Sequence, residues 1–290
     1  MKKMIKTICF FLLLLTATNF GFGQSNQFIY EYRFKSDSLH RDQSDKENMV
    51  LQISPHGSRF YSQVKAVYDS VVQATFKKAV FSRGNHHDFT KLKMANVKLE
   101  VVKKYPDYES TLKTSIGNTR LALRNEKKLN WKISNEKDQI LGYTVQKATT
   151  FWRGRSWIAW FTQEIPLQDG PYEFSGLPGL ILRIEDSKAD HSFTLVAIRK
   201  NSAENKADLF INDKEIEVTE EKFRKFWTDY KKDPVKDMRQ IINSPAGNIV
   251  ATITFDGKTY SNDELLKASE KRAREEIEKN NNFIELDLYR

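Results

Sequence analysis

The sequence predicts an α+β fold, a curved antiparallel β-sheet of meander type, half-barrel-like, with covering helices. Three observations carry that prediction. Four short, apolar-rich runs follow one another between Ile140 and Lys200, each separated from the next by a turn signal. Short connections between sequential strands favour antiparallel neighbours. Helix-period segments are concentrated after Thr219 and after Asn262, outside the strand-rich region.

Taken in order, Phe28 to Phe34 is rich in aromatic and β-branched residues and predicts an opening strand. Lys35 to Asn48 is polar and suits a loop. Met49 to Ile53 predicts the second strand, closed by the turn Ser54-Pro55-His56-Gly57. From Phe60 to Val80 the pattern shifts toward helix, with Val64, Val67, Tyr68, Val71 and Val72 at helical spacing. Val97, Leu99 and Val101 alternate as a short strand, and the basic stretch Lys113 to Lys128 is strand or loop.

The meander then runs Ile140 to Phe151, Ser156 to Glu164, Gly179 to Asp186 and His191 to Lys200. In its second strand Trp157, Ala159 and Phe161 line one face while Ile158 and Trp160 line the other, which predicts a strand covered on both sides. Thr219 caps a helix carrying Phe223, Phe226, Trp227 and Tyr230 on one stripe, bounded by Pro234. Val235 to Ile242 forms a second short helix. Ile249 to Thr254 and Lys258 to Tyr260 pair across Asp256-Gly257. Asn262 to Lys279 is a charged surface helix, and Phe283 to Leu288 a closing strand. No internal repeat or Pro/Gly/Ser linker divides the chain, so 24–290 reads as one domain.

The most apolar short run of that domain lies in Gly170 to Asp186. Pro178 presets φ and Gly179 supplies positive φ, the demand of a type II turn over Leu177 to Leu180. Gly176, Leu177, Pro178, Gly179, Leu180 and Ile181 spell GLPGLI, with LGYTVQKAT, GRSWIAWFTQEIP and GPYEF around them. On these residues, from about Leu141 to Lys200, the chain resembles the GLPGLI family of Gram-negative cell-envelope proteins. The resemblance implies an exported protein and carries no chemistry.

Independently, Lys2, Lys3 and Lys6 precede an apolar stretch from Ile8 to Leu15, and Gly21-Phe22-Gly23 offers small residues for cleavage. Residues 1–23 therefore read as a signal peptide, with periplasmic or secreted localisation after cleavage near Gly23. Cys9 lies inside that apolar stretch, so the remaining 267 of the 290 residues hold no cysteine, which excludes disulfides, thiol catalysis and cysteine-bound zinc. No other segment approaches the roughly 20 apolar residues of a membrane span. The net charge of +9 falls to +6 without the three leader lysines and reads as a solvated basic surface. It permits peripheral membrane contact, while export and the lack of any binding signature argue against nucleic acid.

His86-His87-Asp88, with distant His191 beside Asp190, is the nearest approach to a metal cluster. Adjacent histidines point apart on a strand, and no ligand spacing supports a site, so neither metal nor cofactor is expected. No G-x-S-x-G elbow is present, and no catalytic residue is assigned. The aromatic crowd of the meander is more informative. It reads either as packed core or as a face curved around an apolar ligand, with Trp157, Phe161 and Trp160 as ligand contacts and Arg155 at the mouth for an acidic head group. Arg153 and Arg155 otherwise read as solvated turn residues.

By fold-level analogy the pattern is similar to periplasmic lipoprotein carriers, whose curved sheets enclose an apolar cavity. The expected function is non-enzymatic binding of an apolar or amphipathic ligand or a lipidated partner. Two alternatives stand beside it: an accessory protein docking on an outer-membrane receptor or secretion apparatus, and a metal-dependent or serine hydrolase with dispersed site residues.

Overall fold

Seven apolar side chains, one from each of seven strands, form a single row across one wing of the sheet. Strand β1 (Ser25–Phe34) contributes Phe28, β2 (Asp45–Ser54) Leu51, β3 (Gly57–Ser62) Phe60 and β4 (Glu100–Lys104) Val101. The row continues through Leu112 of β5 (Glu109–Ile116), Leu123 of β6 (Thr119–Asn125) and Val218 of β12 (Ile216–Val218). All seven are buried. Directly opposed residues share a face of the sheet, so this register fixes which side faces the core.

The computed structural model describes residues 25–81, 92–201, 215–243, 253–255 and 258–290. The expected leader (1–23), His86, His87 and Asp88, residues 249–252 of the expected strand and the turn residues Asp256-Gly257 lie outside them.

The other wing holds β7 (Lys132–Ile140), β8 (Tyr143–Trp152), β9 (Arg155–Thr162), β10 (Leu180–Asp186) and β11 (His191–Asn201). The spatial order is β12-β6-β5-β4-β3-β2-β1-β11-β10-β9-β8-β7, antiparallel throughout except for the parallel pair β12·β6. The sheet is open, with β12 and β7 at its edges. A separate hairpin joins β13 (Ile253–Phe255) to β14 (Lys258–Tyr260). Among the described residues there are four helices: α1 (Gln63–Phe81), α2 (Glu220–Lys232), α3 (Lys236–Ile242) and α4 (Asn262–Lys279). The architecture is thus mainly β rather than evenly α+β.

The sheet is strongly curved. Phe60 of β3 packs edge-on against Phe193 of β11 with ring centroids 5.7 Å apart, although three strand steps, about 14 Å when flat, separate the two strands. Register shifts at Ile29/Tyr30, Ile181/Arg183 and Ile133/Lys137 mark bulges, which bend and twist a sheet. The bulge at Leu182 also explains how Leu180, Ile181 and Leu182 are all buried in succession where strict alternation would expose one.

The four meander strands occur where expected, joined in the expected order. The β8–β9 turn has positive φ at Arg153 and Gly154, the combination a two-residue type I′ hairpin needs. Lys113 to Lys128, open between strand and loop, is strand over most of its length, contributing to β5 and β6 joined at Gly117. Other expectations are corrected. The stripe of α1 is not buried: Val67 and Val71 are exposed, and the segment before Gln63 is strand β3. In β9, Trp157, Ala159 and Phe161 are buried, but Ile158 and Trp160 are half-exposed, so only one face is fully covered. Residues 283–288 form no strand. They fold irregularly because their backbone groups are taken by side chains of the sheet and α2. The turn before β10 is not type II. The Gly179 amide donates to Leu177 O (2.8 Å), and the Leu180 amide donates to Ile165 O (3.0 Å) instead of closing the four-residue turn.

Candidate functional site

Three polar networks hold the concave side together, and an aromatic cleft opens beside them. The first network fixes the loop between β9 and β10. Lys103 on β4 is fully buried and pairs its ammonium with Asp169 Oδ1 at 2.5 Å. It also donates to the carbonyls of Gly170 (2.7 Å), Tyr172 (2.9 Å) and Phe174 (3.4 Å). Tyr105 donates its hydroxyl to Asp169 Oδ2 at 2.5 Å. Burial pulls the Lys103 ammonium below the usual lysine range, and the Asp169 carboxylate opposes that pull.

The second network is built on Arg155. Its guanidinium is buried and reaches Asp186 (3.1 Å) and Asp190 (3.5 Å). It also donates to Asn282 Oδ1 (2.7 Å) and to the Phe283 and Ile284 carbonyls. Arg153, also buried, faces Glu173 (3.6 Å), Glu220 (2.8 Å) and Asp287 (3.7 Å). The expectation of solvated turn arginines is therefore corrected. Arg155 ties the C-terminal segment Asn281 to Arg290 onto the sheet, whereas Arg153 joins the β8–β9 turn to the β9–β10 loop, to α2 and to Asp287 of that segment.

The third group lies at the inner end of the cleft. The Tyr32 hydroxyl is hydrogen bonded to His191 Nδ1 at 2.8 Å, and the Tyr172 hydroxyl donates to Glu285. Burial, assisted by the Arg155 guanidinium, lowers the His191 pKa to about 3, so the ring is neutral at physiological pH. Burial raises the Glu285 carboxyl to about 7, with Tyr172 acting against that shift.

The cleft has a volume of 390 Å³. Its walls are Tyr32 of β1, Trp227 and Tyr230 of α2, Ile277 of α4, and Phe283 and Tyr289 of the C-terminal segment. His191 and Glu285 lie at its inner end. Phe283 stacks on Tyr289 at 3.8 Å, and Trp227 meets both edge-on. Thr219, the N-cap of α2, and the Ser261–Glu264 capping box of α4 fix the starts of the two helices that carry part of this wall. A larger groove, of 520 Å³, lies between β1–β2 and α1, but its walls are half-exposed or exposed except at Glu47. Its one buried carboxylate, Glu47, is already taken by Ser62 and the amides of Asn96 and Val97.

The four expected ligand contacts lie elsewhere. Trp157 and Phe161 are wholly buried, with the Trp157 indole donating to Trp152 O (3.1 Å) and packing on Phe174. Arg155 is engaged as described. Trp160 stands half-exposed under Arg183, whose guanidinium lies 5.4 Å from its ring. None of them lines the cleft. Its residues come from β1, the segment before β4, β5, the start of β11, α2, α4 and the C-terminal segment, and no sequence spacing connects those elements. The helical stripe containing Trp227 and Tyr230 was the one visible signal. No group of three or more potential metal ligands occurs among the described residues. No described helix is long and apolar enough to cross a membrane.

Comparison with known proteins gives one family match. Residues 152–183 match the family described as "Protein of unknown function (Porph_ging)". That segment contains Gly176 to Ile181 and the turn, strands and loop fixed by Lys103, Arg153 and Arg155. No curated protein matches the chain. Two solved structures of PNGF-II, in the C2 and P21 space groups, are similar to it over 70% of its length at 14% identity, with a TM-score of 0.48 for each. The similar region covers 32% and 33% of those chains, so this chain spans about a third of their length.

The two shifted groups at the cleft make a pH prediction. A carboxyl raised from its ordinary 4.5 to about 7 binds its proton more tightly in the folded state. Glu285 therefore withdraws stability as pH rises from 4.5 to 7. His191, lowered from 6.5 to about 3, withdraws stability as pH falls through that range. Between 4.5 and 6.5 the two slopes oppose each other, each about 1.4 kcal/mol per pH unit. We expect the destabilisation by His191→Gln to shrink as pH falls below 6.5. Glu285→Gln should become progressively more favourable, relative to the parent, as pH rises from 4.5 to 7. Urea unfolding across this range tests both; pH-independent differences would refute the assignment.

Proposed function

We propose that this chain is an exported, non-enzymatic binding protein that holds the apolar part of an amphipathic ligand in the cleft between the sheet, α2, α4 and the C-terminal segment. The observation that carries the reading is the cleft itself. It offers 390 Å³ of aromatic-walled space, within the range of small-ligand sites, with buried polar groups confined to one end. Such a division suits a molecule with an apolar body and one polar head. The proposed ligand site thus lies at the rings of α2 and the C-terminal segment rather than at the β9 aromatics, of which Trp157 and Phe161 fill the core and Trp160 stands half-exposed. Export to the periplasm or beyond rests on the leader-like first 23 residues.

The test is native mass spectrometry of the protein purified from the cell envelope, followed by organic extraction and uptake of a hydrophobic fluorescent probe. We expect a co-purifying apolar adduct or saturable probe uptake, lost in Thr114→Trp, which fills the cleft from β5. A bare mass with no uptake, or uptake unchanged in that variant, would overturn the reading. N-terminal sequencing of the same material tests cleavage near Gly23.

A further inference from the structure

Two polar atoms of the cleft rings are already used, while His191 Nε2 is buried without a hydrogen-bond partner. The Trp227 indole donates to Tyr289 O at 2.9 Å, and the Tyr32 hydroxyl is engaged by His191. Apart from that nitrogen the aromatic walls offer a guest chiefly π-surface, whose negative face attracts cations. Two carboxylates line the space, Glu276 on the exposed face of α4 and Glu285 at the buried end; Lys98, exposed, is the one lysine among the lining residues, and no arginine is among them. The lining residues thus hold one acidic group more than basic ones on a chain whose overall charge is +9, with the Arg155 guanidinium behind them on the Phe283 and Ile284 carbonyls. His191, neutral, supplies no counter-charge to an acidic head group.

We propose that the cleft selects amphiphiles whose polar end is a cation, an alkylammonium or quaternary ammonium group, with Glu285 as its counter-ion and the aromatic rings as its cage. This rests on the binding reading above and specifies its ligand class. Around Glu285 stand Tyr172 and Glu173 of the β9–β10 loop, Tyr32 of β1, Tyr289 of its own segment and Arg153 of the β8–β9 turn. Arg153 is shared with Glu173, Glu220 and Asp287, so Glu285 has no cation of its own in this group. A guest ammonium supplies one. Its arrival favours the ionised carboxylate, so binding near neutral pH releases a proton.

The experiment uses the full mature chain and three probes with the same dodecyl tail, below their micelle concentrations: dodecyltrimethylammonium, dodecyl maltoside and dodecyl sulfate. Calorimetry in two buffers of different ionisation enthalpy reads affinity and proton release together. We expect the cation to bind about tenfold or more tighter than the maltoside, equivalent to about 1.4 kcal/mol. Its advantage should grow from pH 6 to pH 8, with proton release near pH 7. Glu285→Gln should lose that advantage while still binding the maltoside. Equal affinity for the three heads, or preference for the sulfate, would refute cation selection and leave the cleft as a binding site. Failure of all three probes, or binding unchanged by Thr114→Trp, would remove both readings.

Discussion

Lys103→Met should cost about 3–5 kcal/mol of stability, because it leaves the Asp169 carboxylate in the core without its cation. The methionine fills the space of the lysine stem but donates nothing to the carbonyls of Gly170 and Tyr172. Asp169 keeps the Tyr105 hydroxyl and the Gly170 amide, which limits the loss without replacing the positive charge. Asp169→Asn in the Lys103→Met background should recover part of the loss, since the amide oxygen still accepts and the uncompensated charge is gone. A double-mutant cycle by chemical denaturation measures the coupling. A single-variant cost below about 1 kcal/mol would show that the ion pair does not hold the loop.

The second large effect is expected at Gly179. A Cβ built there lies 2.0 Å from Thr162 O and 2.6 Å from Thr162 C, both backbone atoms of paired strand β9. Neither can move without breaking the β9–β10 register. The residue also has φ of +152°, which a β-branched side chain resists. Gly179→Val should therefore lower stability by about 3 kcal/mol or more, and Gly179→Ala by only somewhat less, because the first carbon already clashes. Gly176, three residues earlier, is the control. Its φ of +90° is strained for other residues, but a Cβ there meets nothing within 4 Å. Gly176→Ala should cost about 1 kcal/mol. Equal melting temperatures for the Gly176 and Gly179 variants would refute the close-approach explanation.

The meander was legible in the sequence because period, turn chemistry and length agree there. The apolar alternation of β9, the Arg153-Gly154 turn and the polar turn from Asp186 to Asp190 all point to the same register. The helices were legible for a similar reason: Thr219 and Ser261 announce α2 and α4 with capping side chains. The wing of β4 to β6 was harder to read because its inward positions are not uniformly apolar. Ser110, Asn125 and Lys103 all point into polar networks, so alternation breaks where the strands are most buried. Arg153 and Arg155 misled for the same reason. Beside a Gly in a turn, an arginine reads as solvated unless its partners are known, and these partners lie as far away as Asn282 and Asp287. The cleft shares this obstacle: its walls meet only after the sheet has curled and the C-terminal segment has crossed it.

The order of strands has a consequence for how the chain reaches this state. Strands β1 to β6 form one run of sequential antiparallel neighbours, with α1 inserted between β3 and β4, and β7 to β11 form another; strand pairs with strand across the two runs only where β1 meets β11. Each run can assemble from local contacts, whereas the seam brings Phe34 against His191 and Ser25 against Asn201. Until it closes, β1 and β11 are two open sheet edges carrying Phe28, Tyr30, Phe193 and Leu195, a combination that invites pairing between molecules. Aggregation during refolding should therefore be governed by the concentration of half-joined chains rather than by either wing, and a ligand or chaperone that shields this one seam would protect the whole protein.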